Sequence, residues 1–345
     1  MALIDGFDFL IQWHLTERCN LHCRHCYQSG GQEDELTLAE KRALLDEIAD
    51  MLTGWEACHG IRFAPSFTIT GGEPLLSPDL FIVMDEIAAA GYEQSLLTNG
   101  TLVTAETAAR LAAVGVAGVQ VSIEGPEEIH DAIRGAGSFA AAVAGVGYLL
   151  GSALQVTLNA TLSRLNAHHL EGMLALAASL GVQRLGLTRL VPYGQGRGIS
   201  AEMLTQAEAR RLYETAFAAA RPGLQIVTGD PVAARLGEST GHDPDSVPCG
   251  GCAAGVSGLT IMADGTILPC RRLAVPIGNV RIDSLREVWA TSDVLARLRD
   301  KRQYGGKCAA CHHWSVCRGC RGIAHAYSLL HGAGDYLAED PQCFI

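Results

Sequence analysis

Strand-like and helix-like stretches alternate six times over residues 9–220, and no other feature restricts the fold of this 345-residue chain as tightly. Period-two patterns predict strands at 9–16, 66–70, 94–98, 118–123, 155–160 and 183–189. Period-3.6 patterns predict helices at 38–52, 78–90, 105–114, 139–150, 167–180 and 205–220. Thr37, Ser77, Thr104 and Asn166 stand where helix N-caps belong. Gly91, Gly115, Gly151 and Gly181 stand just past helix ends, where a left-handed residue closes the last turn. Successive βα units require a parallel sheet with right-handed crossovers. Six units fall short of the eight of a closed barrel. The expected fold class is therefore α/β: a partial (β/α)6 TIM-like barrel, open on one side, with a small cysteine-rich domain at its C-terminal end.

The first strand orients this barrel. Phe9, Ile11, Trp13 and Leu15 alternate with Leu10, Gln12, His14 and Thr16. The apolar face should pack on helices, which turns the polar set inward and predicts a polar lumen. The barrel is expected over residues 1–220, a bridge over 221–248 and the second domain over 249–345. In the latter, a hairpin is predicted at 259–268 around Ala263-Asp264-Gly265, and a helix at 285–298.

Composition narrows the function classes. A hydrophobic content of 48% supports a sizeable core, and a net charge of -11 makes nucleic acid or an anionic membrane a poor default partner. The apolar stretch at 140–150 is short and glycine-broken, so it reads as a core helix and not a membrane span. No secretory signal is visible, and the expected location is cytoplasmic.

Eleven of the twelve cysteines fall into two groups, one near each end. In a reducing compartment, clustered cysteines are more often metal ligands than disulfides. Cys58 stands apart and reads as a small buried or semi-buried thiol. Cys19, Cys23 and Cys26 follow directly on the first strand. Three thiolates can ligate three irons of a cubane and leave the fourth iron open to a small molecule. By residue type alone zinc is the alternative, with His25 as a fourth ligand.

The stretch Cys-Asn-Leu-His-Cys-Arg-His-Cys-Tyr resembles the radical S-adenosylmethionine (SAM) superfamily. In that family the open iron chelates SAM, and one electron cleaves it to a 5′-deoxyadenosyl radical that takes hydrogen from a substrate. Gly71-Gly72-Glu73-Pro74, one βα unit later, resembles the family's motif for the methionyl amino group. Thr98-Asn99-Gly100 ends the third predicted strand. The stretch from Ser122 to Pro126, then His130-Asp131 and Arg134-Gly135, also looks like the family. The resemblance implies a SAM site formed by Tyr27, Gly71, Gly72, Glu73, Pro74, Asn99, Ser122 and Arg134. Glu124 replaces the commoner aspartate. These motifs lie at C-terminal strand ends, where barrel active sites form.

The later cysteines resemble the SPASM extension of these enzymes, which holds auxiliary iron–sulfur clusters, as do Ile277-Gly278-Asn279-Val280 and the helix after them. The resemblance implies one cluster on Cys249, Cys252, Cys270 and Cys320 and another on Cys308, Cys311, Cys317 and Cys343. With the N-terminal one, that makes three [4Fe–4S] clusters. Only two residues separate Cys317 from Cys320, where three are common. Zinc ribbons are the alternative from local spacing. His312 and His313 are candidates to tune a cluster by hydrogen bonds.

The resemblance implies an oxidoreductase acting on a ribosomally made peptide or protein, forming a crosslink, a heterocycle or an oxidised side chain. Haem or tetrapyrrole side-chain modification and sugar dehydrogenation are the alternatives. A flavodoxin or ferredoxin would be the reductant. With the first strand starting at residue 9, no leader-binding domain is expected ahead of it, so leader recognition would need a separate leader-binding protein or the surface of the bridge. Gln12, His14, Asn159, Thr161, Thr188 and Tyr193 are candidates to line the lumen. His14 and Tyr193 are the catalytic candidates, His14 because an ordinary imidazole titrates near neutrality.

Overall fold

The structure, a computed structural model, describes residues 4–28, 34–220, 222–236 and 251–345. Six βα units form as expected. The strands are β1 (Ile4–His14), β2 (Ile61–Thr70), β3 (Glu93–Thr98), β4 (Gly118–Ser122), β5 (Val156–Leu162) and β6 (Arg184–Arg189). The helices between and after them are α1 (Leu38–His59), α2 (Leu80–Ala89), α3 (Ala105–Val114), α4 (Glu127–Arg134), α5 (Ser138–Gly151), α6 (Leu170–Ser179) and α7 (Gln206–Ala218). Every neighbouring pair from β1 to β6 is parallel.

The sheet then runs on at both ends. β7 (Gln225–Val227) adds to β6 from within the expected bridge. At the other edge β8 (Gly258–Ile261) pairs parallel to β1, with Leu10 opposite Gly258. The predicted hairpin continues through β9 (Thr266–Leu268) to β10 (Gly278–Asn279), both joined antiparallel. The strand order is β10-β9-β8-β1-β2-β3-β4-β5-β6-β7, so β7 and β8 end the parallel run unpaired with each other and the barrel stays open between them. The cysteine-rich region thus shares a sheet with the barrel. It also carries α8 (Leu285–Thr291), α9 (Asp293–Arg299), α10 (Gly306–Ala310) and α11 (Arg321–Leu330). The single helix expected at 285–298 breaks at Ser292, whose hydroxyl caps α9 by accepting from the Leu295 amide.

Local chemistry explains most of these boundaries. Thr37 and Glu40 form a reciprocal capping box at α1, as do Thr104 and Thr107 at α3 and Thr205 and Glu208 at α7. Gly91, Gly115 and Gly181 take the left-handed conformation after their helices. Three expectations fail. Asp79, not Ser77, precedes α2, because Pro74–Leu76 forms a short 3-10 turn first. Gly151 stays inside α5, and Ala153 takes the positive φ. Asn166 caps no helix with its side chain; its amide donates to the Glu124 and Thr161 carbonyls and its oxygen accepts from the Ser163 amide. α1 runs seven residues beyond its predicted end, past its buried residues, and leaves Cys58 exposed rather than buried.

Phe9, Ile11, Trp13 and Leu15 are fully buried in the main core, while Gln12, His14 and Thr16 are buried on the other face. The lumen therefore has the polarity that β1 predicts. Among the described residues no single helix is long and apolar enough to cross a membrane.

Candidate active site

The loop after β1 owes its position to glycines. Gly72 donates its amide to the Thr16 carbonyl at 2.7 Å, and Glu73 donates to the Arg18 carbonyl at 2.8 Å. A Cβ at Gly71 would lie 2.5 Å from the Thr16 carbonyl oxygen, and one at Gly72 would lie 2.7 Å from that of Glu17. Only a bare backbone fits there, so the end of β2 clamps the residues just before Cys19. On the far side Gly196 donates to the Cys26 carbonyl at 2.9 Å, and a Cβ at Gly194 would meet the Tyr27 carbonyl oxygen at 2.5 Å. The segment after β6 thus closes the other end of the loop.

Between these clamps lies a cavity of about 330 Å³. Cys19, Cys23, Cys26 and Tyr27 line one part, and Gly71, Gly72, Asn99, Ser122 and Arg134 stand around them. Six of the eight predicted SAM-site positions therefore share one chamber with the thiols. Glu73 and Pro74 do not line it. Glu73 is buried behind the wall and accepts from the Thr98 hydroxyl at 2.7 Å and the Asn99 amide at 2.8 Å. Burial raises its pKa and those hydrogen bonds oppose the rise. Pro74 starts the 3-10 turn.

Glu124 organises the opposite wall. Its Oε1 accepts from Arg134 Nη2 at 2.6 Å and Nε at 2.9 Å, and lies 2.9 Å from His25 Nε2. Its Oε2 accepts from the Thr161 amide at 2.7 Å. Burial alone would raise its pKa, but His25 and Arg134 together hold it well below the ordinary carboxylate range. Arg134, so fixed, points Nη1 at Cys23 Sγ, 3.7 Å away. Burial pushes the Cys23 thiol up to about 11, against the pull of Arg134, and raises Cys19 and Cys26 as well. Thiols so buried ionise when a cation binds to them.

Deeper in the lumen Gln120, Asn159, Thr161 and Thr188 line the cavity, and Arg271 and Arg272 close it beside Cys270. Three expectations need correction. Gln12 does not line the cavity; it is buried and accepts from Arg271 Nη1 at 2.7 Å. His14 is fully buried behind the lining, where Gln28 Nε2 lies 3.1 Å from its Nδ1. Burial, aided by Arg271, lowers its pKa to about 3, so it has no titration near neutrality to offer. Tyr193 does not line the cavity; it packs with Leu190, Val191 and Ile323.

The C-terminal cysteines fall into two groups. Burial pushes Cys317 up to about 12, and the neighbouring thiols of Cys343 and Cys308 add to the rise; Cys311 acts likewise on Cys308. Burial raises Cys320 to about 12 too, but there the neighbouring thiol is Cys252 and the opposing cation is Arg272. Cys270 and Cys320 both lie within electrostatic reach of Arg271. Cys320 thus faces Cys252 and Cys270 despite its short spacing from Cys317. Cys249 lies outside the described residues.

The radical SAM superfamily profile matches residues 13–177, and an iron–sulfur cluster-binding domain profile, SPASM, matches residues 252–312. The AdoMet-dependent heme synthase of Methanosarcina barkeri is 32% identical over 99% of this chain and 98% of its own length. The chain belongs to the radical SAM superfamily. Mycofactocin maturase MftC of Mycobacterium ulcerans is also 32% identical, over 99% of this radical SAM enzyme and 90% of MftC. Streptococcus suis SuiB, solved with its precursor peptide SuiA, shares the fold: TM-score 0.75 at 18% identity, over 98% of this chain and 76% of SuiB.

The donor set of this radical SAM enzyme fits an iron–sulfur cluster. Cys19, Cys23 and Cys26 line one cavity from a single loop, where each can take one iron of a cubane. His25, the candidate fourth zinc ligand, is turned by Nε2 toward Glu124. Gln120, Arg271 and Arg272 in the cavity wall were not legible in the sequence, and three further residues were legible only in part. Glu124 was visible only as a departure from a family pattern. Gly194 and Gly196 lie in a Gly-Gln-Gly repeat that marks a close backbone approach without saying to what.

Proposed function

We propose that this radical SAM enzyme abstracts hydrogen from a side chain of a ribosomally made peptide or protein inserted into the lumen. The observation that carries the reading is the gap between β7 and β8, which leaves the barrel open to a chain. The likeness to MftC and to SuiB, a protein that binds a precursor peptide, supports the same substrate class.

In this reading Cys19, Cys23 and Cys26 hold the SAM-binding cluster. Gly71, Gly72, Asn99, Ser122, Tyr27 and Arg134 surround SAM, and Glu73 and Pro74 fix the shape of that wall from behind. When bound, the reduced cluster and SAM supply one-electron cleavage of the sulfonium and the hydrogen-abstracting radical. Glu124 locks Arg134 and His25, which keeps the loop still. Cys249, Cys252, Cys270 and Cys320 hold one auxiliary cluster, and Cys308, Cys311, Cys317 and Cys343 the other. The clusters held by these thiols would supply an electron relay between the substrate end of the lumen and an external flavodoxin or ferredoxin. A cytoplasmic location belongs to the same proposal, since thiols stay reduced there.

The heme synthase relative favours a second reading, side-chain modification of a tetrapyrrole. Co-expression with the short open reading frames beside the gene, followed by mass spectrometry, separates the two. A mass change in one peptide that requires Cys19, Cys23 and Cys26 supports the proposal. Modification of a tetrapyrrole with every peptide unchanged overturns it.

A further inference from the structure

Buried charge is costly without a counter-charge. Arg189 lies between Asp230 and Asp340, and Arg134 lies on Glu124. Arg318 and Arg321 form no ion pair with a carboxylate among the described residues, but they donate to backbone carbonyls, Arg318 to those of Ser315 and Cys252 and Arg321 to those of Tyr336 and Ala338. Arg271 lines the cavity, as Arg272 does, with the thiols of Cys270 and Cys320 within its electrostatic reach. Among the described residues its hydrogen-bond partner is the neutral Gln12 oxygen, and no carboxylate forms an ion pair with it. Gln12 is buried against it, and its Nε2 has no hydrogen-bond partner among the described residues.

A guanidinium with spare N–H groups in the wall of a polar chamber matches a carboxylate. We propose that Arg271, held by Gln12, binds a carboxylate of the substrate and so sets which residue presents its C–H bond to the radical. This rests on the peptide reading above, and it narrows that reading: the inserted residue is Asp, Glu or the C-terminal residue. Arg271 is here a specificity-determining residue that contacts substrate.

The test uses reconstituted full-length holoenzyme with SAM, as wild type, Arg271→Gln and Arg271→Lys. Four probes are compared for binding: N-acetylglutamate methylamide, its glutamine counterpart, a porphyrin bearing propionates, and the methyl ester of that porphyrin. Substrate-free SAM cleavage and the EPR spectrum of the reduced auxiliary cluster are recorded alongside. Wild type should prefer a carboxylate probe over its neutral partner by about 10- to 100-fold, the size of a charge-assisted hydrogen bond. Arg271→Gln should abolish that preference and Arg271→Lys should keep part of it. A preference seen only with the porphyrin pair supports Arg271 as the carboxylate binder and overturns the peptide reading. No preference with either pair overturns the Arg271 proposal. So does a preference that survives in Arg271→Gln while substrate-free cleavage or the EPR spectrum changes; the arginine would then serve SAM or the cluster.

Discussion

Glu124 is buried beneath the cysteine loop and satisfies Arg134, His25 and the Thr161 amide at once. Removing its charge leaves a buried guanidinium uncompensated, a loss of about 3–5 kcal/mol when one partner of such a pair is deleted. Glu124→Gln should lower the thermal midpoint by several degrees and reduce iron bound per chain after reconstitution; unchanged iron content would show that the loop does not depend on it. His14 gives a pH prediction. Its folded pKa of about 3 lies below the ordinary 6.5, so the unfolded chain binds the extra proton between those values. His14 therefore imposes no cost above pH 6.5, and stability falls by about 1.4 kcal/mol per pH unit as pH drops toward 3. Denaturant titrations should show a shallower acid-side slope for His14→Gln than for wild type. The three N-terminal ligand positions could be read directly, because thiol spacing is a local property. The state of His14 could not: inward direction follows from strand alternation, but depth behind the lining depends on Gln28, Tyr27 and Arg271 arriving from other elements.

At the scale of elements, strand and helix patterns were legible because each βα unit carries its own periodicity and caps. Several pieces were not, among them α4, β7, β10, α10 and α11. α4 is a two-turn helix whose residues read as a motif rather than a periodic stretch, with only His130 and Ile133 buried. β7 has three residues, too few for alternation to register. Gly151 and Ala153 show why a glycine near a helix end is an ambiguous stop: α5 runs one residue further, and the turn at Ser152 moves the positive φ onto alanine. The Gly71-Gly72 contact makes the element-scale prediction. A methyl group at Gly72 must push the β2 end away from the Arg18 and Glu17 carbonyls. Gly72→Ala should cost about 1–3 kcal/mol, as overpacking does, and should raise the KM for SAM through the displaced loop. A variant with wild-type stability and KM would mean that the two strand ends are not clamped.

Across the whole molecule, two of the junctions between the cysteine-rich region and the barrel stand out. β8 extends the sheet at β1, and Arg189 at the end of β6 binds Asp230 and Asp340, with Nη2–Oδ2 of Asp340 at 2.7 Å. Asp340 Oδ2 also accepts from the Cys320 amide at 2.8 Å. One buried carboxylate thus ties a barrel strand to a candidate cluster ligand. Neither junction was legible, since residues 150 apart in the chain meet through tertiary structure alone. Asp340→Asn should leave Arg189 half-compensated, destabilise the C-terminal region by about 3 kcal/mol or more, and lower iron and sulfide there before the N-terminal cluster is lost. Equal loss from both ends would show one cooperative unit instead.

The central claim is that the loop at Cys19, Cys23 and Cys26 initiates radical chemistry on SAM. Anaerobic reconstitution with iron and sulfide, followed by dithionite and SAM, tests it most directly. The account predicts 5′-deoxyadenosine and methionine from wild type and neither product from a variant with all three cysteines replaced by alanine. Wild-type protein that carries a full complement of clusters, about twelve irons per chain for three cubanes, yet releases neither product would contradict it.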